Sequence, residues 1–132
     1  KKIALVAVNQ TEHFSRLLLI GRESGNETEL KPKNFRNIEQ IVWSADGNSL
    51  LAAANDGNNF QLWKITGDGT AKRITNDLNS YLGISVSADR KTLISRQRVY
   101  FSNVWVGRKD DLKNLKQLTE GTSRNDGLQG LT

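Results

Sequence analysis

A twelve-residue phrase that occurs twice does most to constrain the fold. Ile41-Val42-Trp43-Ser44-Ala45-Asp46-Gly47-Asn48-Ser49-Leu50-Leu51-Ala52 returns 43 residues later as Ile84-Ser85-Val86-Ser87-Ala88-Asp89-Arg90-Lys91-Thr92-Leu93-Ile94-Ser95. Each copy reads as apolar strand, tight turn, apolar strand. Asp46-Gly47 supplies the turn chemistry, because Gly tolerates φ > 0 and Asp can hydrogen-bond the backbone ahead of it. Trp43 falls on Val86, Ser44 on Ser87, Ala45 on Ala88, Asp46 on Asp89 and Leu50 on Leu93. A period in the forties made of short strands is the signature of a repeated all-β unit.

The rest of the chain divides around that period. Residues 3–8 form a fully apolar run of strand length, residues 9–15 read as a loop, and residues 16–20 are a second strand closed by Gly21. Residues 27–31 are a short outer strand ended by Pro32, the only proline. The second unit opens near Ile38, with strands at 39–43, 49–54, 60–65 and 71–75. The Asn55-Asp56-Gly57-Asn58-Asn59 and Thr66-Gly67-Asp68-Gly69 turns separate the last three. Along residues 60–65, Phe60, Leu62 and Lys64 share one face by alternation. The third unit repeats the order at 81–86, 91–95, 102–106 and 116–119. Trp63 and Trp105 stand 42 apart, and Lys72-Arg73-Ile74-Thr75 and Lys116-Gln117-Leu118-Thr119 stand 44 apart. Residues 110–118 are the only stretch near helical periodicity and read as loop. Four antiparallel strands in roughly forty residues are the content of one β-propeller blade. Trp43, Leu50, Leu62, Ile84, Leu93 and Val104 are the expected core between blades.

The blade frame predicts four parts: a blade lacking its first strand at 1–37, full blades at 38–80 and 81–127, and the first strand of a next blade at 128–132. The chain begins with Lys, carries no leader-like stretch, and so reads as a piece of a longer or processed chain. The apolar fraction is 36%, which suits short strands joined by polar turns, and no apolar run is long enough to span a bilayer. The absence of Cys rules out disulfides, zinc ribbons and thiol catalysis. A net charge of +5 is spread along the chain; its densest group, Lys31-Pro32-Lys33 with Arg36, lacks interleaved aromatics and reads as a solvated face, not a nucleic-acid patch.

Trp43-Ser44-Ala45-Asp46-Gly47, the third strands at Leu62-Trp63 and Val104-Trp105, and the Arg73-Ile74-Thr75 and Gln117-Leu118-Thr119 endings resemble the bacterial WD-like repeat of the TolB-type β-propeller. The resemblance covers nearly the whole chain. Ala45 and Ala88 stand where that repeat has Pro, Arg90 where it has the turn Gly, and Val86 where it has Trp. The Gly-His and Trp-Asp signatures of eukaryotic WD repeats are absent. The resemblance implies part of a six-bladed ring within a larger bacterial protein, serving as a non-catalytic binding or sensor module. In such proteins the propeller often accompanies a serine/threonine kinase or a winged-helix regulator. The alternative it implies is a substrate-gating propeller segment of a prolyl-oligopeptidase-like hydrolase, with catalysis on another domain; a purely structural oligomerisation unit is a third. The sequence itself fixes no compartment, while the resemblance leans towards an extracytoplasmic or periplasmic one.

No catalytic constellation emerges from the residues. His13, the only histidine, sits in a polar loop beside Glu12 and reads as a surface group. Asp56-Gly57-Asn58-Asn59 lacks the spaced ligands and closing Glu of a calcium loop, and Gly67-Asp68-Gly69 has no helix after it to make a phosphate site. Asn9-Gln10-Thr11 and Asn26-Glu27-Thr28 match the glycosylation triplet, which occurs by chance. The aromatic residues at strand positions are expected in the core. No metal and no cofactor is implied. What remains is positional: loops entering the innermost strands gather at one rim of a propeller. Those loops bring Arg36 and Asn37, Asn79 and Tyr81, and Arg124, Asn125 and Asp126 to a candidate surface for a protein or peptide partner. No nucleic acid and no membrane insertion is expected. A partner of a second kind follows from the blade count. Either a homodimer, pairing Leu128 to Thr132 of one copy with the edge beside Ile3 to Val8 of the other, or the remainder of the propeller would complete the ring.

Overall fold

Antiparallel pairing between neighbours in sequence builds every sheet among the described residues. The computed structural model describes residues 1–9, 11, 14–32, 35–57, 59–99 and 103–120. Eleven strands and no helix occur among them: β1 (Lys2–Asn9), β2 (Phe14–Gly21), β3 (Glu27–Leu30), β4 (Asn37–Trp43), β5 (Ser49–Asn55), β6 (Phe60–Thr66), β7 (Ala71–Arg73), β8 (Ser80–Val86), β9 (Leu93–Arg98), β10 (Trp105–Arg108) and β11 (Asp111–Gln117). The chain separates into two units, Lys1–Arg98 with β1 to β9 and Val99–Thr132 with β10 and β11. The first unit holds sheets β1-β2-β3, β4-β5-β6-β7 and β8-β9, and the second holds β10-β11. The expected strand at 128–132 lies outside the described residues.

The repeat seen in the sequence is a repeat of register. In β4–β5, Asn37 faces Asn55 and Trp43 faces Leu50; 43 residues on, Ser80 faces Arg98 and Val86 faces Leu93. The outer hairpins agree as closely. Trp63 faces Arg73 in β6–β7, and Trp105 faces Gln117 in β10–β11. Just beyond those pairs, the Ile74 amide donates to Leu62 O at 2.7 Å and the Leu118 amide to Val104 O at 2.8 Å. The Leu62 and Val104 amides each donate to a threonine hydroxyl, Thr75 and Thr119, at 3.0 Å.

A shared turn sets the register. The Asp46 carboxylate accepts from the Ser44 hydroxyl and from the Asn48 amide at 2.9 Å, while the Ser49 amide donates to Ser44 Oγ at 3.2 Å. Asp89 repeats this with the Ser87 hydroxyl and the Lys91 amide at 3.1 Å, and Thr92 N donates to Ser87 Oγ at 3.0 Å. Asp68 does the same between β6 and β7, accepting from the Thr66 hydroxyl and from the Thr70 amide at 3.0 Å. Each turn then needs one left-handed residue. Gly47 (φ 68°) and Gly69 (φ 86°) fill that place in two of them, and Arg90 (φ 60°) fills it in the third. For a residue with a Cβ that conformation costs about 1–2 kcal/mol.

The β4–β7 sheet is buried on both faces. Leu50, Ala52, Ala54, Trp63 and Ile65 meet Leu17, Leu19 and Leu30 of the β1–β3 sheet. Ala53 and Leu62, alternating to the other face, meet Ile84 of β8. Ala52, Ala53 and Ala54 are all fully buried, and their small side chains let the sheets approach on either side. Trp63 ties the first interface together: its indole N–H donates to Ala54 O at 3.2 Å, and Phe35 meets its ring edge-on at 4.8 Å.

Several expectations change in detail. Leu50, Leu62 and Ile84 are buried as read, but Trp43 and Val104 are half-buried and Leu93 is 39% exposed, because β9 pairs on one side only among the described residues. Along β6, Gln61, Trp63 and Ile65 form a fully covered face, whereas Phe60 is half-buried and Lys64 exposed. Residues 111–115, read as loop, are strand and continue through 116–117 of the expected closing strand as β11, which ends at Gln117. The four strands expected together in the third unit fall into two separate two-stranded sheets. Strand 102–106 begins later than read, at Trp105, and Ser102 lies outside the described residues.

Candidate functional site

Where β4, β6 and β8 begin, the chain gathers most of its sequence-predicted site. The connection from β7 to β8 is organised by Gln61, a side chain with no exposed surface. Its Nε2 donates to Asn79 O at 2.7 Å and to Asp77 O at 3.2 Å, and its Oε1 accepts from the Thr75 hydroxyl at 2.6 Å. Asn59 Nδ2 adds a 2.6 Å bond to Leu78 O. Within the loop the Asp77 carboxylate accepts from the Asn79 amide at 2.9 Å and from the Tyr81 hydroxyl at 2.7 Å. Gln97 of β9 donates to the same hydroxyl at 3.0 Å. Three consecutive carbonyls, Asp77 to Asn79, are therefore held by side chains of the neighbouring strand and its entry loop.

Electrostatics follow that geometry. The Tyr81 hydroxyl holds the Asp77 carboxyl below the usual carboxylate range, and Asp77 in turn raises the Tyr81 phenol. The pair is thus a neutral donor on an ionised acceptor across ordinary pH. Leu78, between them and 78% exposed, projects an apolar side chain from a loop whose backbone is pinned.

Arg36 and Asn37 belong to a second group at the same strand ends. The Arg36 amide donates to Asn55 O at 2.8 Å, its carbonyl accepts from Ser15 N at 3.3 Å, and its guanidinium lies over Gly57, where a Cβ would come within 3.6 Å of Nε. Asn37 faces Asn55 across the β4–β5 ladder. Beside them Arg73 lies 5.5 Å from the Trp63 ring centroid and pairs with Asp56 at 3.6 Å, leaving Asp56 Oδ1 and Arg73 Nε buried without a hydrogen bond. Asn79 and Tyr81 share one network, and Arg36 and Asn37 sit in the other. Arg124, Asn125 and Asp126 lie outside the described residues, as does His13. Sequence reading missed Asn59, Gln61, Asp77 and Gln97. Only Asp77-Leu78-Asn79 carried a local signal, the acidic start of an Asx turn.

The opposite end of the strands, where the Asp46 and Asp89 turns lie, holds a cleft of about 500 Å³ lined by Lys2, Leu19, Trp43, Gly47, Asn48 and Arg90. A shallower notch of about 340 Å³ lies along β8 and β9 at Gly83 and Ser95. Among the described residues, no group of three His, Cys, Asp or Glu side chains is placed to hold a metal ion. No family model, curated protein or solved structure matches the chain.

Proposed function

We propose that the chain is a segment of a β-propeller of the TolB-like kind, acting as a non-catalytic binding module for a protein or peptide partner within a larger bacterial protein. The observation that carries the binding assignment is the pinned 77–79 loop, which offers Leu78 beside the Tyr81–Asp77 pair. A partner meets a surface already ordered, so little conformational entropy is lost on docking. An exposed leucine flanked by a tyrosine and a carboxylate supplies the apolar anchor and polar rim that protein contacts use. Support for the propeller comes from the duplicated inner register, the matching outer hairpins and the side-by-side course of β4 and β8.

The test is a peptide-display selection on the immobilised chain, counter-screened on Leu78→Ser and Tyr81→Ala. Selected peptides should lose binding roughly tenfold or more on Leu78→Ser, about 1.4 kcal/mol, which marks a residue that contributes to the interface. Peptides indifferent to both substitutions would refute the assignment. Hydrolysis of peptide substrates by the purified chain would refute its non-catalytic part.

A further inference from the structure

The cleft at the opposite end has a chemistry of its own. Its cationic lining comes from Lys1, Lys2 and Arg90, its apolar lining from Trp43 and Leu19, and among the described residues no carboxylate lines it. The acids adjacent in sequence to the lining residues Gly47, Gly67 and Arg90 are those of the turns. Asp46 is occupied by the Ser44 hydroxyl and the Asn48 amide, Asp89 by the Ser87 hydroxyl and the Lys91 amide, and Asp68 by Thr66 and Thr70. Each carboxylate accepts the hydrogen bonds of its own turn and none is among the lining residues, so the charged residues of the described lining are lysine and arginine.

Arg90 adds an independent observation. It holds the left-handed position that glycine holds in both sister turns, and is the only non-glycine residue with positive φ among those described. A strained backbone at the mouth of a cavity is an observation from which function can be argued. Here the strained residue is an arginine that lines the cleft, and a guanidinium is the side chain best shaped for bidentate contact with a phosphate. The volume of about 500 Å³ suits a small molecule and is far too small for a folded partner.

We propose that this cleft binds a small aromatic molecule carrying a phosphate dianion, with Arg90 and Lys2 on the phosphate and Trp43 against the ring. Two cations match the charge of the dianion, and the indole and Leu19 give the ring an apolar seat. The site is independent of the Leu78 surface, which lies at the other end of the strands.

The 132-residue chain, titrated with phenyl phosphate and followed by amide and indole NMR, tests the proposal. Shifts should concentrate on the Trp43 indole and on the Gly47, Asn48 and Arg90 amides. Inorganic phosphate should act more weakly at the same amides, and benzyl alcohol should leave them unmoved. Arg90→Gly, which suits the turn better than the native residue, should weaken binding roughly tenfold while the protein stays folded. Lys2→Gln should weaken it by a smaller factor, and raising the salt should weaken it further in the native chain. Absence of localised shifts at millimolar ligand, equal response to inorganic phosphate, or unchanged affinity in Arg90→Gly would each overturn the proposal.

Discussion

The β4–β5 and β8–β9 hairpins share a turn, a register and a 43-residue offset, yet they inhabit different environments. In β5, Leu50, Ala52, Ala53 and Ala54 are at most 2% exposed; in β9, Leu93 and Ile94 are 39% and 64% exposed. The difference lies in what flanks them. β5 is paired on both sides and covered on both faces, whereas β9 is the edge of a two-stranded sheet. Pairing geometry is a local property, set by the Ser-x-Asp turn. Burial is conferred from outside by the neighbouring sheets.

Core truncation should separate the two hairpins most sharply. Leu50→Ala, in β5, is expected to destabilise by about 3 kcal/mol, since the cavity it leaves is walled by packed sheets. Ile94→Ala in β9 should stay within about 0.5 kcal/mol. Urea unfolding compares them directly, and similar losses would dissolve the distinction. Gln61→Leu comes next, at about 2 kcal/mol, because it strands the Asp77 and Asn79 carbonyls and the Thr75 hydroxyl. Hydrogen exchange should rise first at residues 76–79; uniform loss of protection would argue against a local role.

The turns offer a reciprocal exchange. Arg90→Gly should stabilise by about 1 kcal/mol and Gly47→Arg should destabilise by a like amount, because the left-handed position favours glycine in both. Thermal melts of the pair would expose any asymmetry. The smallest effect is in acid. Hydroxyl and amide donors of their own turns depress Asp46, Asp68 and Asp89, and Asp68 is lowered to about 2, first by the Thr66 hydroxyl and then by Thr70. Folded values below the unfolded one, near ~4 for Asp, mean that this stabilisation is present above that pH and fades as the pH falls towards the folded values. Carbon-detected carboxylate titration should place the Asp68 midpoint near the low end of that window. A midpoint at the ordinary value would break the equivalence of the three turns.

These contrasts also explain what the sequence made legible. Asp46-Gly47 and Asp89-Arg90 announce their turns because an Asx turn is closed within six residues. Strands 3–8, 16–20 and 39–43 were readable from apolar runs. β11 was not, since Leu112, Leu115 and Leu118 recur at intervals of three, with lysines between, and a bulge beside Gly107 shifts the pairing. Gln61 escaped for a different reason. A glutamine in a strand looks solvated until the carbonyls of a loop 16 to 18 residues away arrive to saturate it. The exposure of Leu93 could not be read from its phrase, because the identical position in Leu50 is buried. The cleft combines Lys2 of β1, Trp43 of β4 and Arg90 of the β8–β9 turn, a juxtaposition no local pattern contains.

Glu39 and Gln40, adjacent on β4, take the adjacent amides of Gly83 and Ile84 on β8 at 3.3 and 3.1 Å, at a bulge where Gly83 has φ +69°. Such a joint resists two kinds of load. Sliding one strand along the other by a single residue would break both bonds at once, so the contact resists shear. Pulling the sheets apart meets a further resistance, because Ile84 must then leave Ala53 and Leu62, so the joint holds the two sheets both level and closed.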